Sequence, residues 1–112
     1  MKTQLRKGVL EMCILATLTQ ADSYTYELVQ LLSTHMAISE GTIYPIMRRL
    51  QNDNLVETYL QESQAGPARK YYRLTKMGQH QLKDMLFQWQ EFSNEVNSVL
   101  SLTLNTQQKD IS

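Results

Sequence analysis

Between Leu82 and Val99 the apolar residues Leu82, Met85, Trp89, Phe92, Val96 and Val99 fall alternately three and four positions apart, with Leu86 and Leu100 alongside. That is the spacing of a coiled-coil seam, narrower than the face of a helix lying on a globular core. Thr75 offers a cap, and the pattern predicts one helix from about Lys76 to Leu104, about 40 Å long at 1.5 Å per residue. No other unpaired helix is available in the chain to cover it, so the natural cover is a second copy. The rest of the 112 residues suffices for one small domain. Three parts are expected: a domain over 1–75, the helix over 76–104, and a polar, frayed tail over 105–112, "NTQQKDIS".

Upstream of the seam the periodicity predicts three helices and then two strands. The first helix runs from about Leu5 to Leu18, with Leu10, Cys13, Ile14 and Leu18 on one flank and Met12 and Leu15 on another. Asp22 or Ser23 is expected to cap the second, whose stripe is Leu28, Leu31 and Leu32, ending by Met36. Ser39 or Thr42 caps the third, which continues to about Asn52. Inside it stands Pro45, and a proline in a helix interior costs about 3 kcal/mol. With Ile43, Ile46, Met47 and Leu50 facing the core, Gly41, Pro45 and Arg48 fall on the opposite side, where the carbonyl left without a donor can be hydrated. The result is an outer helix face of low bulk, open to close approach.

After Leu55, "VETYLQ" sets Val56, Thr58 and Leu60 against Glu57, Tyr59 and Gln61, and "KYYRL" sets Tyr72 and Leu74 against Tyr71 and Arg73. Both read as strands with one buried face. The Gly66-Pro67 pair between them is a turn signal, which places Arg69 and Lys70 at a hairpin tip. The fold class expected is mainly α with a small two-stranded antiparallel hairpin, in the order of a winged helix-turn-helix followed by a long helix.

Formal charge sums to zero, but six basic residues face three acidic ones from Arg48 to Lys76. From Met77 onward two basic residues face four acidic ones, so a basic surface is confined to the middle of the chain. The lone Cys13 excludes an internal disulfide and reads as a small buried hydrophobe. His35 and His80 have no partners at metal spacing, so no metal and no cofactor is expected. Lys2, Arg6 and Lys7 before "GVLEMCILATLTQA" look like a signal peptide, but Glu11 interrupts the apolar run and the spacing is that of a helix face. No stretch reaches the roughly 18 apolar residues of a membrane span, and a cytoplasmic protein is expected. No paired carboxylate, base-activated nucleophile or phosphate loop is visible, which argues against an enzyme.

Three segments, "YTYEL", "EGTIYPIMRRLQNDNLV" and "GPARKYYRLTKMG", together resemble the PadR family of bacterial transcriptional regulators, particularly its small members with a single C-terminal dimerisation helix. The resemblance covers Gly8 to about Leu100; Thr25 departs from it, standing where the family often has glycine. It implies a homodimeric regulator, most simply a repressor, that binds double-stranded operator DNA. On that reading Ser39, Thr42, Tyr44, Pro45, Arg48 and Arg49 of the third helix and Arg69 and Lys70 of the wing are the DNA-binding residues. Leu82, Met85, Trp89, Phe92, Val96 and Val99 form the dimer interface. The resemblance also implies a site for a planar hydrophobic small molecule at Trp89, Met85 and Phe92, with Met12 and Leu15 lining it. The rival reading is a winged-helix protein-interaction module that does not bind DNA.

Overall fold

The computed structural model describes residues 2–111, and the side chains of residues 8–103. The side chains of Lys2, Arg6 and Lys7 and those of the polar tail lie outside the described residues. The elements are α1 (Lys2–Leu18), β1 (Ser23–Tyr24), α2 (Thr25–Ser33), α3 (Glu40–Asn52), β2 (Val56–Ser63), β3 (Gly66–Leu74) and α4 (Lys76–Ile111). Two compact units divide after Leu82.

The first unit is a winged helix built on a helical core. Leu10, Ile14, Leu15 and Leu18 of α1, Leu28 and Leu32 of α2, and Ile43, Met47 and Leu50 of α3 are buried, together with Val56, Tyr72, Leu74 and Leu82. Both flanks of α1 contribute, as expected, since Met12 and Leu15 are buried too. Burying each large aliphatic side chain contributes about 1.5–3 kcal/mol, so these positions carry the fold. Cys13 is half-buried, and burial pushes its thiol pKa up, favouring the protonated form.

Several expectations are corrected. The sheet has three strands in the order β1-β3-β2, not two, because Ser23 and Tyr24 pair antiparallel with Tyr72 and Tyr71. A two-residue strand leaves no periodicity in the sequence. In consequence α2 is capped by Tyr24, whose N–H donates to the Glu27 carboxylate at 3.2 Å, and Asp22 serves elsewhere. Leu31 is exposed, and Val29 takes its place in the core. The hairpin turns at Gln64-Ala65, with Gly66 already paired to Ser63. The tip therefore lies nearer β2 than the Gly66-Pro67 signal suggests, and Arg69 and Lys70 pair with Gln61 and Leu60 in the body of β3. Leu60 falls in the alternation of the buried face but is 72% exposed, since the strands outrun the helices beneath them.

Between α3 and β2 the chain turns through a left-handed residue, Asn54 (φ 60°). Leu55 N–H bonds to Leu50 O at 2.9 Å and Asn54 N–H to Gln51 O at 3.1 Å, the paired bonds of a Schellman C-cap. The same corner receives α4. Thr75 donates its hydroxyl to Asn54 O at 2.7 Å and its N–H to Leu55 O at 3.1 Å, while its Oγ1 accepts the Gly78 N–H at 2.9 Å as the N-cap of α4.

The second unit is the remainder of α4, which continues to Ile111 rather than ending near Leu104. Trp89, Phe92, Val96, Val99 and Leu100 are all exposed on it, and Met85 is half-buried. Among the described residues no helix is long and apolar enough to cross a membrane.

Candidate nucleic-acid interface

The outward face of α3 follows from how its inner face is anchored. Ile43, Ile46, Met47 and Leu50 are buried at helical spacing, leaving Gly41, Thr42, Tyr44, Pro45 and Arg48 exposed on the other side. Ser39 is the N-cap, with extended backbone (φ −131°, ψ 162°), so Thr42 is not. Pro45 consequently sits beyond the first turn, where its missing N–H would have bonded to Gly41 O. Both residues are exposed, and water can satisfy that carbonyl. Ser39 Oγ and Thr42 Oγ1 lie 3.3 Å apart at the helix start, both exposed.

Beside this face opens a groove of about 390 Å³. α3 supplies Tyr44, Arg48 and Gln51, β3 supplies Arg69, Lys70 and Tyr72, and the start of α2 supplies Tyr24, Thr25 and Tyr26. Four of the residues singled out in the sequence, Tyr44, Arg48, Arg69 and Lys70, are thus brought together from elements far apart in the chain. Ser39 and Thr42, at the start of α3, lie outside the groove lining, and so does Pro45, between Tyr44 and Arg48 in the sequence.

The basic residues of the region divide by partner. Arg49 turns inward and forms an ion pair with Glu11 of α1. Arg73 pairs with Glu57 across the hairpin at 3.0 Å and lies over the Tyr59 ring at 5.1 Å. Among the described residues Arg48, Arg69 and Lys70 form no ion pair, and all three are exposed in the groove. Arg69 donates to the Tyr24 hydroxyl at 2.9 Å, and Lys70 Nζ sits 5.4 Å from the Tyr72 ring centroid. An unneutralised cluster of cations in a cleft focuses positive potential there. Adjacent arginines on α3 therefore have opposite roles, which the sequence does not reveal, because Glu11 reaches Arg49 only through the fold.

Sequence reasoning passed over Tyr24 and Tyr26 as groove residues. Their only signal is the pair of tyrosines in "YTYEL". On the same face of the sheet as Tyr24, Tyr59 of β2 donates to Asp22 at 2.6 Å, a bond that pushes its phenol pKa above the ordinary 10.0. A raised phenol pKa means that what this bond contributes is fully present below pH 10 and is lost as pH rises through the folded value.

A winged helix whose third helix and wing share a cationic groove is a DNA-binding fold. The description "Transcriptional regulator PadR-like family" matches residues 14–84, and the chain belongs to that family, as a DNA-binding transcriptional regulator. A PadR-like transcriptional regulator from Bacillus cereus is 43% identical, covers 87% of this chain and 96% of its own, and superposes with a TM-score of 0.79. A Streptococcus transcriptional regulator is 38% identical over 87% of this chain and 97% of its own, again with a TM-score of 0.79. An uncharacterised protein of Lysinibacillus sphaericus is 31% identical over 80% of this chain and 86% of its own.

Proposed function

We propose that this protein is a homodimeric, sequence-specific repressor working in the cytoplasm. Each α3 enters a major groove with Tyr44, Pro45 and Arg48 toward base edges, and Ser39 and Thr42 take backbone phosphate at the helix start. Each wing braces the strand through Arg69 and Lys70. Arg49 enters only where its ion pair with Glu11 opens. The observation carrying the DNA-contact assignment is the split among the arginines of α3 and β3 and Lys70: Arg49 and Arg73, outside the groove, are paired with carboxylates, and Arg48, Arg69 and Lys70, which line it, are not.

The dimer rests on the seam of α4, whose Trp89, Phe92 and Val99 are 43%, 60% and 63% exposed. Large exposed apolar stripes mark interaction surfaces. Two copies related by a twofold axis would read half-sites about 34–36 Å apart. Leu82 is buried within its own unit, so the interface starts at Met85.

Two experiments test the reading. With Arg69→Ala and Lys70→Ala combined, affinity for all duplexes is expected to fall by a similar factor, and the slope of log affinity against log salt to flatten by about 0.9 per lost phosphate contact. An unchanged slope places the wing off the DNA. The second concerns an effector. A planar hydrophobic compound is proposed to stack on Trp89 beside Met85 and Phe92; Met12 and Leu15 are buried in the first unit and are not needed for this. Such compounds are expected to quench the fluorescence of the single tryptophan and to weaken operator binding together. A panel of them that leaves the fluorescence unmoved ends the effector proposal.

A further inference from the structure

Arg69 stands out among the arginines of the wing because it is held by neutral groups alone. Its guanidinium lies 4.6 Å from the centroid of the Tyr24 ring and donates to that residue's hydroxyl at 2.9 Å. The Tyr24 ring is itself fixed. It stacks against Tyr26 at 6.4 Å and 12°, and meets the edge of Tyr71 at 5.4 Å and 70°. Tyr71 in turn stacks on Tyr59 at 5.7 Å, and the Tyr59 hydroxyl is tied to Asp22. A ladder of rings thus runs across the three-stranded sheet and ends at the groove.

An exposed arginine normally loses rotamer freedom when it engages a ligand, and a carboxylate partner that orders it beforehand also cancels its charge. That second arrangement is what Arg49 and Arg73 show. Tyr24 orders Arg69 without neutralising it. Of the five guanidinium N–H groups, one is spent on the hydroxyl, and the others remain for an acceptor in the groove. Arg48 and Lys70 line the same groove. The acceptor that suits a groove lined by three cations and a fork of free donors is a phosphodiester.

We infer that Tyr24 is a positioning residue for DNA binding, holding Arg69 so that its guanidinium receives a backbone phosphate of the bound strand in the groove that it lines with Arg48 and Lys70. This rests on the DNA-binding reading above and adds to it a defined phosphate seat and a residue of α2's N-cap.

The test is a double-mutant cycle on the full-length protein with a short random-sequence duplex, measured over a range of salt. Tyr24→Phe keeps the ring, its stacking and the backbone cap, and removes only the hydroxyl. In the parent background it is expected to weaken binding about threefold to tenfold with the salt slope unchanged, since no charge is lost. Arg69→Ala is expected to flatten the slope by about 0.9. In that background, and in Arg69→Lys, which keeps the charge but loses the fork, Tyr24→Phe should change affinity by nothing measurable. The same loss from Tyr24→Phe in all three backgrounds would overturn the inference, because Tyr24 would then act on DNA or on the fold by itself. No loss in the parent background overturns it equally. Failure of the underlying reading looks different: a parent protein whose binding to duplex does not respond to salt at all.

Discussion

Replacing Gly78 with alanine is expected to lower the stability of the winged-helix unit by about 3 kcal/mol or more, at the upper end of what overpacking does. A Cβ at this position would stand 2.1 Å from Leu55 O, 2.8 Å from Leu74 Cδ1 and 3.1 Å from the Leu55 carbonyl carbon. The leucine side chain can yield, but the carbonyl cannot. It accepts the Thr75 N–H, the Leu55 N–H is committed to Leu50 O, and Asn54 just before it is fixed in the left-handed region with its own carbonyl bonded to Thr75 Oγ1. Relief requires moving α4 away from the corner and losing the Gly78 N–H bond to Thr75 as well. For a domain of this size each kcal/mol lowers Tm by about 4–8 °C. Gly41→Ala is the control, because its nearest neighbour would be Ser39 Oγ at 3.9 Å and alanine is the better helix former. Thermal unfolding of the two variants checks this. A Gly78→Ala protein that melts with Gly41→Ala would mean that the corner is not rigid.

Gly78 also shows where the legibility of this sequence ends. "LTKMG" is readable as a helix start, yet nothing local demands glycine there; the demand comes from a carbonyl twenty-three positions earlier, placed by a C-cap. Periodic features survive this well. The inner and outer faces of α3 follow from spacing alone, because burial of a stripe is decided by the helix repeat. Pro45 was legible for the same reason: its tolerance depends on which side of the helix it occupies. Features set by pairing were not. The wing turns at Gln64-Ala65 although Gly66-Pro67 is the stronger turn signal, since the register of β2 on β3 is fixed by Val56 and Leu74 in the core, many residues from the tip. Strand β1 exists only because β3 offers it an edge. Charge was least legible of all. Arg48 and Arg49 are neighbours of one type, and the difference between an open cation and a structural ion pair lies in Glu11.

The seam supplies the other large effect, and it tests the homodimer directly. Phe92→Glu is expected to convert the protein from dimer to monomer in sedimentation, since the substitution would bring two carboxylates together in an apolar contact, where unpaired charge is strongly disfavoured. The helix itself should tolerate it, because Phe92 is 60% exposed in the single chain and glutamate is a good helix former. DNA binding should fall with it. Two α3 helices held in one dimer engage their half-sites with an effective concentration that typically adds about 10²–10⁴ in avidity, and a monomer forfeits that factor on a fragment selected by the parent protein. Asn94→Glu provides the matched control. At about 100° per residue it lies nearly opposite the seam, and it sits three residues from Glu91 much as Phe92 sits three from Glu95, so net charge and local repulsion change alike. That variant should sediment and bind as the parent does. If Phe92→Glu remains a dimer, the seam is not the interface, and the half-site spacing must be set by some other surface.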